Sequence, residues 1–423
     1  MKTNTPSSFI GYRCSLCGKE YTPFEVSYTC PTDGSNLDVI LDYAAVQERY
    51  RVDDLTSSLE PSLWRYLPLL PVSDPRGEST PLRATGWTPV YALPRLGAKL
   101  SLRYLWLKDE SRNPTASFKD RASAVVIARA REIGADIVVT ASTGNAGAAL
   151  AGMAAAVGHK AVIFAPRTAP PAKVAQLLIY GSQVILVDGN YDAAFELSIQ
   201  ASREFGWYCR NTGYNPFTAE GKKTAALEIW EWAVGNPNYD YPLNKILSIF
   251  VPVGDGNIIS GIHKGFKDLK ELGWLEHVPR IFGVQAEGSA AIANAYKAGT
   301  EEIIPVSAVT LADSISVNLP RDGLRALRAV TQTGGAYITV TDAQILEAIV
   351  ELGKVGVFAE PAAAASFAGL VKAVKEGKIG ADDPVLVLST GSGLKDVKAA
   401  IQSVPQAPII EPTLEAVKGL LRL

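Results

Sequence analysis

The strongest constraint on the fold is an alternation, beginning after Gly86, between short β-branched runs and Ala- and Leu-rich stretches of helical length. This alternation predicts parallel strands joined by crossover helices, with each sheet buried on both faces. The predicted strands are 102–107, 137–140, 161–165, 184–187, 246–251, 280–286 and 384–389. The predicted helices are 119–133, 146–157, 172–180, 191–205, 221–234, 258–272 and 360–376. We therefore predict an α/β protein whose ligands bind at the turns that lead from a strand into a helix.

Length, charge and hydropathy exclude several classes of function. At roughly 100–200 residues per domain, the 423 residues predict two or three domains. With 41 basic and 43 acidic side chains, the chain lacks the positive field that attracts nucleic acid or an anionic membrane. Apolar windows such as 146–157 are shorter than the ~20 residues that a bilayer requires, and residues 1–10 lack a secretory signal. We expect a cytosolic protein that acts on small molecules, with no nucleic-acid or membrane partner.

Three of the four cysteines lie in a turn-rich N-terminal segment that predicts a small ribbon. Cys14, Cys17 and Cys30 have the spacing of a zinc ribbon, but Asp33 stands where a fourth cysteine would complete it. Because Asp can ligate zinc, a site of three cysteines and one aspartate is allowed. Loss of the fourth thiolate is also typical of a site that has lost its metal. We favour this second interpretation and expect no metal. Several prolines in the next stretch predict a connecting arm.

A first turn of chemical interest, Ser142-Thr143-Gly144-Asn145, follows the predicted strand 137–140. Hydroxyl groups and a glycine at a helix N-terminus offer side-chain donors, free backbone N–H groups and the positive end of the helix dipole. Together these suit a carboxylate or a phosphate. Taken alone, the turn is more simply a helix cap.

Two later turns have the same character. The turn 254–258, Gly-Asp-Gly-Asn-Ile, has two glycines one residue apart before a helix, which lets backbone N–H groups converge on an anion. The turn 389–396 again places hydroxyls and glycines after a buried strand. Each alone is also an ordinary tight turn or flexible loop. Three such turns in one α/β chain could converge on a single ligand that bears a phosphate.

One lysine stands at an electrostatically unfavourable place. Lys119 follows the Asn-Pro turn at 113–114 and falls in the first turn of a predicted helix, where the helix dipole presents positive charge. An ammonium that its surroundings disfavour is a better amine nucleophile, as Schiff-base chemistry requires. For this segment alone, a surface lysine paired with Asp120 is the simpler explanation.

The segment 113–121, Asn-Pro-Thr-Ala-Ser-Phe-Lys-Asp-Arg, resembles the Asn-Pro-Thr-Gly-Ser-Phe-Lys-Asp-Arg motif of the threonine synthases. These are pyridoxal-phosphate enzymes of fold type II, with a tryptophan-synthase-β-like fold. The family's other motifs follow in order, with Ser-Thr-Gly-Asn at 142–145, Val-Pro-Val-Gly-Asp-Gly-Asn at 251–257 and Thr-Gly-Ser-Gly-Leu-Lys-Asp at 390–396. The similarity runs from about residue 86 to 398, and the cysteine-bearing segment resembles the ribbon of some threonine synthases.

The resemblance implies a role for each matching residue. Lys119 is expected to bind pyridoxal 5'-phosphate as a Schiff base and to move the substrate protons. Asn145 is expected to hydrogen-bond the cofactor's 3′-oxygen, and Thr390 to face its pyridine nitrogen. The residues expected to hold the cofactor phosphate are Gly254, Asp255, Gly256, Asn257 and Ile258. The residues expected to bind the substrate are Ser142, Thr143 and Gly144 at its carboxylate and Lys173 near its phosphate.

Two positions depart from the family pattern near the expected substrate phosphate. Ala146 replaces a threonine, and Thr218 stands where many members carry an arginine, whose planar fork binds phosphate bidentately. Lys222 or Lys223 would then have to supply the missing charge.

Three interpretations stay open. The first is a threonine synthase that converts O-phospho-L-homoserine and water to L-threonine and phosphate by γ-elimination and β-addition. The second is a related β-replacement or β-elimination enzyme, such as a phosphoserine-using cysteate synthase or a serine/threonine dehydratase. The third is a cofactor-binding protein whose activity is regulatory or lost. The presence of Lys119, Asn145 and Thr390 argues against the third interpretation. Of the other two we favour the first, a lyase.

The resemblance also implies an architecture. Fold type II has two open, twisted α/β domains with the cofactor in the cleft between them. We predict a ribbon-like segment at 1–45, a connecting arm at 46–85, a large cofactor-binding domain at 86–118 and 211–423, and a small mobile domain at 119–210. A homodimer is implied as well.

Overall fold

The chain folds into two parallel sheets and one small antiparallel ribbon, which the computed structural model describes for residues 8–235 and 245–421. The strands are β1 (Phe9–Cys14), β2 (Glu20–Tyr21), β3 (Leu37–Leu41), β4 (Val90–Ala92), β5 (Leu105–Asp109), β6 (Ile137–Ala141), β7 (Lys160–Pro166), β8 (Gln183–Val187), β9 (Tyr208–Cys209), β10 (Ser248–Pro252), β11 (Arg280–Ala286), β12 (Tyr337–Val340) and β13 (Val385–Ser389). The α/β prediction is therefore confirmed.

Helices connect most of these strands. They are α1 (Tyr43–Arg49), α2 (Val52–Thr56), α3 (Pro94–Leu100), α4 (Lys119–Glu132), α5 (Asn145–Ala156), α6 (Pro171–Ile179), α7 (Tyr191–Phe205), α8 (Phe217–Gly235), α9 (Asn257–Glu271), α10 (Ala291–Ala298), α11 (Gly323–Thr331), α12 (Asp342–Gly353), α13 (Pro361–Lys375), α14 (Val397–Ser403) and α15 (Leu414–Leu421). Single 3₁₀ turns occur at Glu110–Arg112, Glu287–Ser289, Asp313–Ile315 and Gly393–Lys395, and a longer 3₁₀ segment at Leu63–Leu69. Within the described ranges, no helix is long and apolar enough to cross a membrane.

The large sheet has six strands in the order β12-β11-β10-β13-β5-β4. All neighbouring pairs are parallel except β4 with β5. Apolar cores lie on both faces, one with α8, α9 and α11 and the other with α3, α12 and α13. Burial on both faces explains why the central strands are almost continuous runs of apolar residues.

The small sheet has four parallel strands in the order β8-β7-β6-β9. Its strands all lie between Ile137 and Cys209, and α5, α6 and α7 provide the connections between them. The boundaries of the small mobile domain, 119–210, and of the other segments stay a prediction.

The N-terminal ribbon, β2-β1-β3, and the arm that follows it pack against the rest of the chain. In the arm, the buried Tyr66 and Arg65 side chains both bond Glu231 of α8, each at 2.5 Å. The arm has no long helix, as its prolines predict; α1, α2 and the segment Leu63–Leu69 are all short.

All seven predicted strands and all seven predicted helices are present, with ends that differ by a few residues. The predicted strand 102–107 begins only at Leu105, because Ser101 adopts a left-handed conformation that ends α3 just before it. Three strands, β4, β9 and β12, were not predicted. Each has only two to four residues, too few for a repeating pattern to stand out.

A buried ion network connects α4 to the large sheet. Arg121 bonds Glu110 at 2.7 Å and also contacts both oxygens of Glu228, which in turn accepts a 2.7 Å bond from Lys108 of β5. These four side chains are at most 2% exposed. Because Arg121 is two residues from Lys119, the network fixes the start of α4 relative to β5 and α8.

Candidate active site

A cavity of about 820 Å³ lies at the carboxyl ends of strands from both parallel sheets. It receives the turns after β6, β7 and β9 of the small sheet and after β10 and β13 of the large sheet. The predicted site residues that line it are Lys119, Ser142, Thr143, Gly144, Asn145, Lys173, Gly254, Asp255, Gly256, Asn257, Ile258 and Thr390. The structure thus brings all twelve together, at the place where a parallel sheet is expected to bind ligands.

Lys119 is the first residue of α4, and the loop after β13 fixes its position. Phe118 N donates to Thr390 O at 2.8 Å, and Ser392 N donates to Ala116 O at 3.1 Å. Burial lowers the pKa of Lys119 because the ammonium loses hydration; nearby Glu360 opposes this shift, while Arg210 adds to it. A larger fraction of neutral amine makes Lys119 a better nucleophile.

A buried carboxylate, Glu360, bonds Asn145 and acts electrostatically on Lys119. The Asn145 amide Nδ2 donates to the two Glu360 carboxylate oxygens at 3.0 and 2.9 Å, and Glu360 N donates to Gly391 O at 3.0 Å. Burial raises the pKa of Glu360, against the opposing effect of Lys119. Glu360 was not among the predicted site residues. In the sequence, a glutamate before Pro361 indicates only the start of the Ala-rich helix α13.

The turn 254–258 forms the N-terminus of α9. Gly256 has φ of 92°, and a Cβ there would lie 2.6 Å from Asp322 O and 2.7 Å from Ala326 Cβ, so only glycine fits. Asn257 donates through Nδ2 to Asp322 Oδ2 at 2.7 Å. The first N–H groups of α9 have no partner within the helix, so they are available to an anion.

The Ser-Thr-Gly turn has the same construction in the small sheet. Gly144 caps α5, and the first N–H groups of α5 again lack partners within the helix. A Cβ on Gly147 would lie 2.1 Å from Ser142 O, so this glycine lets the turn fold tightly against the helix. Two helix N-termini therefore face one cavity, and both favour negative charge.

Two buried cations lie beside the α9 turn without a carboxylate partner among the described residues. Lys222 is 1% exposed, and its Nζ donates to Asn257 Oδ1 at 2.5 Å. Arg210 is fully buried and bonds Ser123 Oγ and Thr212 Oγ1, while its Nη2 has no partner in the described ranges. Burial lowers the pKa of Lys222 strongly and that of Arg210 to about 10. An anion in the cavity would complete their coordination.

The lysine next to Lys222 does not reach the cavity. Lys223 is buried in ion pairs with Glu220 and with Asp268, the latter at 2.8 Å. Of the two lysines that the sequence offered for the missing charge, only Lys222 lines the site. Thr218 is buried away from the lining and bonds Asn215 O and Asn257 Oδ1, so it supports the turn and does not face a ligand.

Two further lysines, Lys173 and Lys395, also line the cavity. Lys173 pairs with Asp313 at 2.5 Å and is partly exposed. Lys395, which sequence reasoning did not assign, has a buried Nζ with no hydrogen-bond partner in the part of the chain that the structure describes. Burial lowers its pKa, and nearby Asp120 and Glu360 oppose the shift. Lys395 could have been found from the sequence, because it is the lysine of the Thr-Gly-Ser-Gly-Leu-Lys-Asp motif.

Basic side chains outnumber acidic ones in the cavity lining, although the chain as a whole is nearly neutral. Among the described residues that line it, seven are basic and four are acidic. The basic ones are Lys119, Lys173, Arg210, Lys222, Arg321, Lys395 and Lys398. Such a cavity is suited to a ligand that carries several negative charges.

Comparisons with known proteins agree with this geometry. Residues 82–391 match the family model described as "Pyridoxal-phosphate dependent enzyme". The chain is 38% identical over 414 residues to a threonine synthase of Methanocaldococcus jannaschii, which covers 97% of this chain and 99% of that protein. It is 37% identical over 410 residues to a threonine synthase of Methanosarcina acetivorans, which covers 96% and 97% of the two chains.

The fold is also found among solved structures. The processed form of threonine deaminase isoform 2 from Solanum lycopersicum superposes with a TM-score of 0.63 at 23% identity, covering 75% of this chain and 88% of that one. At this identity the similarity concerns the fold alone.

Proposed function

The chain belongs to the family of pyridoxal-phosphate dependent enzymes, and we propose that it catalyses the threonine synthase reaction, from O-phospho-L-homoserine and water to L-threonine and phosphate. The observation that carries the proposal is the convergence of Lys119, two helix N-termini and the buried cations Arg210 and Lys222 in one cavity. A doubly charged cofactor phosphate and a phosphorylated substrate together need this surplus of positive charge.

The residues present fit pyridoxal phosphate. An amine nucleophile with a lowered pKa, Lys119, shares the cavity with the turn 254–258, whose Gly256 adopts the left-handed conformation that lets backbone N–H groups converge on an anion. Asn145 and Thr390 line the same cavity. We propose that Lys119 holds the cofactor covalently, that Asn145 bonds its 3′-oxygen, that the turn 254–258 holds its phosphate and that Thr390 faces its ring nitrogen.

When bound, the cofactor supplies an electron sink that stabilises negative charge on the substrate carbons. Lys119 Nζ then holds and moves the protons at Cα and Cβ, and burial, by lowering its pKa, makes the ammonium release its proton more readily. Glu360, close enough to influence this pKa, counteracts complete loss of the charged form.

The substrate carboxylate is assigned to the α5 N-terminus. Ser142, Thr143 and Gly144 line the cavity there, and the adjacent N–H groups of α5 offer donors at the positive end of the helix dipole. This arrangement leaves the substrate's Cγ and its phosphate free to extend toward the cationic side of the cavity.

The substrate phosphate is assigned to Lys222 and Arg210, with Lys173 also lining the cavity. Lys222 and Arg210 are buried cations that hydrogen-bond only neutral groups among the described residues, which makes an anionic ligand their missing partner. Lys222 lies one helical turn after Thr218 on the same face of α8. Its ammonium can therefore supply the positive charge that an arginine at position 218 would otherwise provide.

The reaction balances without a further reactant. The bond between Cγ and the phosphate oxygen breaks, and the phosphate leaves with the electron pair. The hydroxyl of water bonds to Cβ. Of the three protons released, from Cα, from Cβ and from water, one is added to Cγ, one returns to Cα and one protonates the departing phosphate, which leaves as a dianion. The cationic side of the cavity stabilises the departing dianion, and this is where electrostatic stabilisation is expected to matter most.

The decisive experiment supplies O-phospho-L-homoserine to the holoenzyme and measures phosphate and threonine in equal amounts. Lys119→Ala should abolish both the activity and the absorption band of the bound cofactor. No reaction with this substrate, together with release of a ketoacid from serine or threonine, would instead identify a dehydratase.

The phosphate assignment has its own test. Lys222→Met should raise KM for O-phospho-L-homoserine about tenfold or more, since a charge-assisted hydrogen bond contributes about 1.5–3 kcal/mol. The affinity for pyridoxal phosphate should change little. Lys160→Met, at an exposed lysine on β7, is the matched control. A fall in cofactor affinity with an unchanged KM would assign Lys222 to the cofactor phosphate instead.

We also propose that the protein works in the cytosol as a homodimer. All four cysteines are free thiols, which suits a reducing compartment. Near the C-terminus, Ile409 is 99% and Leu414 72% exposed, and burial against a second copy would remove this apolar surface from water. Light scattering on the purified holoenzyme measures the mass directly, and fractionation of the source cells checks the compartment.

A further inference from the structure

The N-terminal ribbon contains two turns of the same construction, one beginning at Cys14 and the other at Cys30. In each, the cysteine N–H donates to the carbonyl five residues later, and the N–H of a following glycine donates back to the cysteine carbonyl. The four bonds are Cys14 N to Lys19 O (2.9 Å), Gly18 N to Cys14 O (3.1 Å), Cys30 N to Ser35 O (2.9 Å) and Gly34 N to Cys30 O (2.8 Å). Both glycines have φ of 73°. By this correspondence, Asp33 occupies in the second turn the place of Cys17 in the first.

The four side chains at corresponding places converge. The Cys17 and Cys30 sulfurs are 3.8 Å apart, and the Cys14 sulfur is 3.5 and 3.4 Å from the two Asp33 oxygens. One ligand atom from each of the four residues lies within 4.8 Å of the other three. Tetrahedral zinc, with Zn–S of about 2.3 Å and Zn–O of about 2.0–2.2 Å, places sulfurs about 3.8 Å apart and a sulfur about 3.6 Å from an oxygen. The observed spacing matches such a site.

The surroundings of the sulfurs also suit thiolate ligands. The Leu16 and Cys17 N–H groups both point to the Cys14 sulfur, at 3.4 Å each. The Tyr21 hydroxyl lies 3.1 Å from the Cys30 sulfur. Donors of this kind stabilise the negative charge of ligating sulfurs and fix their orientation.

We propose that Cys14, Cys17, Cys30 and Asp33 bind one zinc ion. Three thiolates and one carboxylate in tetrahedral arrangement favour zinc over the hard, octahedral cations. Since the protein fills all four positions, the ion has a structural role. The spacing of the sequence had favoured a site that lost its metal with the fourth cysteine; the matching turns instead present Asp33 as the fourth ligand.

The ion would stabilise a ribbon that braces the cavity. Asn36, just beyond the second turn, donates to Gly213 O and Arg321 O. Arg325 donates to Asp38 of the ribbon and to Asp322, each within 2.8 Å. Asp322 in turn accepts a hydrogen bond from Asn257 of the turn 254–258. This chain of contacts connects the metal site to the active site without placing the metal in the reaction.

The test is metal analysis of the untagged holoenzyme, purified without chelator. We expect about one zinc ion per chain, as in structural sites with four protein ligands. After exchange with cobalt, the protein should show thiolate-to-cobalt charge-transfer absorption and the intense visible bands of tetrahedral cobalt. Both readouts are independent of catalytic activity.

Three variants sharpen the result. Cys17→Ser, at an exposed cysteine, should lower the zinc content to less than about a tenth of an ion per chain, because it removes one of four thiolate or carboxylate ligands. Cys209→Ser, at the cysteine outside the ribbon, should leave the content unchanged. Asp33→Cys should retain zinc and add thiolate absorption to the cobalt spectrum.

One pattern of results would overturn the proposal. If the wild-type protein neither contains zinc nor gives the cobalt spectrum, while Asp33→Cys does both, then Asp33 marks a lost site. A Cys17–Cys30 disulfide in protein purified under reducing conditions, found by mass spectrometry after thiol alkylation, would overturn it as well.

Discussion

At the scale of single residues, charges from four different segments act on the reactive lysine. They are Glu360 before α13, Arg210 after β9, Asp255 in the turn after β10 and Lys395 in the loop after β13. Burial lowers the pKa of Lys119, Arg210 and Lys395 reinforce the shift, and Glu360 and Asp255 limit it. The nucleophile's reactivity is thus set by side chains more than 90 residues away along the chain.

This balance predicts the effect of removing the carboxylate. Glu360→Gln should lower the pKa of Lys119 further, since the ammonium loses the carboxylate that most strongly opposes the effect of burial. Only the neutral amine of Lys119 reacts with pyridoxal phosphate. The pH below which the rate of cofactor binding to the apoprotein falls should therefore be lower in Glu360→Gln than in the wild type. The rate is followed by the change in cofactor absorbance over a pH series.

Glu347→Gln, an exposed glutamate on α12, is the matched control and should leave the pH profile in place. A profile that moves to higher pH in Glu360→Gln would contradict the assigned role of the Glu360 charge.

The buried ion network makes a second prediction at this scale. Arg121→Met should lower the free energy of unfolding at pH 7 by about 3–5 kcal/mol, because it leaves Glu110 and Glu228 buried with only Lys108. Urea unfolding measures this loss of unfolding free energy. The control, Arg131→Met, replaces an exposed arginine near the end of α4 and should lower the unfolding free energy far less.

The same network predicts a pH dependence. Burial opposes ionisation of Glu228, but Arg121 and Lys108 hold its pKa at about 2, below the ordinary 4.5. A lowered carboxyl pKa adds stability that is present above pH 4.5 and is lost as pH falls toward 2. The difference in unfolding free energy between wild type and Arg121→Met should therefore shrink over this window; a constant difference would show that lost packing, and not charge, dominates.

At the scale of secondary-structure elements, helix N-termini organise the site. The helices α4, α5, α9 and α13 all begin at or beside the cavity, each immediately after a turn that follows a strand or a loop. Their first N–H groups and dipoles favour anions. Lys119 brings a positive charge to such a position, and this mismatch helps to explain why its neutral amine is favoured there.

The α9 turn predicts a sharp glycine requirement. Gly256→Ala should weaken pyridoxal phosphate binding at least about tenfold, because a left-handed Ala costs about 1–2 kcal/mol and its Cβ would strike Asp322 O. Equilibrium titration of the apoprotein measures the affinity. Gly353→Ala, at the end of α12 with no atom within 4 Å of the added carbon, should bind the cofactor normally. Equal affinities in both variants would remove the turn 254–258 from the cofactor site.

At the scale of the whole molecule, the N-terminal ribbon braces the walls of the cavity. Tyr28 of the ribbon stacks on Tyr214 with ring centroids 4.6 Å apart, and its hydroxyl accepts a hydrogen bond from Cys209 N at 2.9 Å. The side-chain amide of Asn36 donates hydrogen bonds to the carbonyl oxygens of both Gly213 and Arg321. The ribbon therefore contacts both the β9 turn and the segment that supports Asn257.

This bracing predicts that a ribbon residue affects catalysis at a distance. Asn36→Ala should lower stability by about 1–3 kcal/mol, since two backbone carbonyls lose a donor. It should also raise KM for the phosphorylated substrate, because Arg321 lines the cavity. The neighbouring Ser35→Ala is the control for both thermal unfolding and kinetics. Loss of stability with an unchanged KM would limit the ribbon to a role in folding.

The α/β class, the order of the principal strands and helices, and the twelve residues that meet in the cavity could all be predicted from the amino-acid sequence. Periodicity and local motifs carry this information, because propensity, turn chemistry and caps act over a few neighbouring residues. The resemblance to the threonine synthases, read from four such motifs, is confirmed by the relatives.

Which charged groups act on the site could not be predicted from the sequence and depends on how the chain folds. Lys222 faces the cavity whereas Lys223, its neighbour, lies in a buried ion pair, and Glu360 and Arg210 reach Lys119 from distant segments. The same holds for Asp33, which joins the three cysteines only through the matching turns of the ribbon. The physical reason is that electrostatic effects depend on distance and burial in space, and neither is encoded by spacing along the chain.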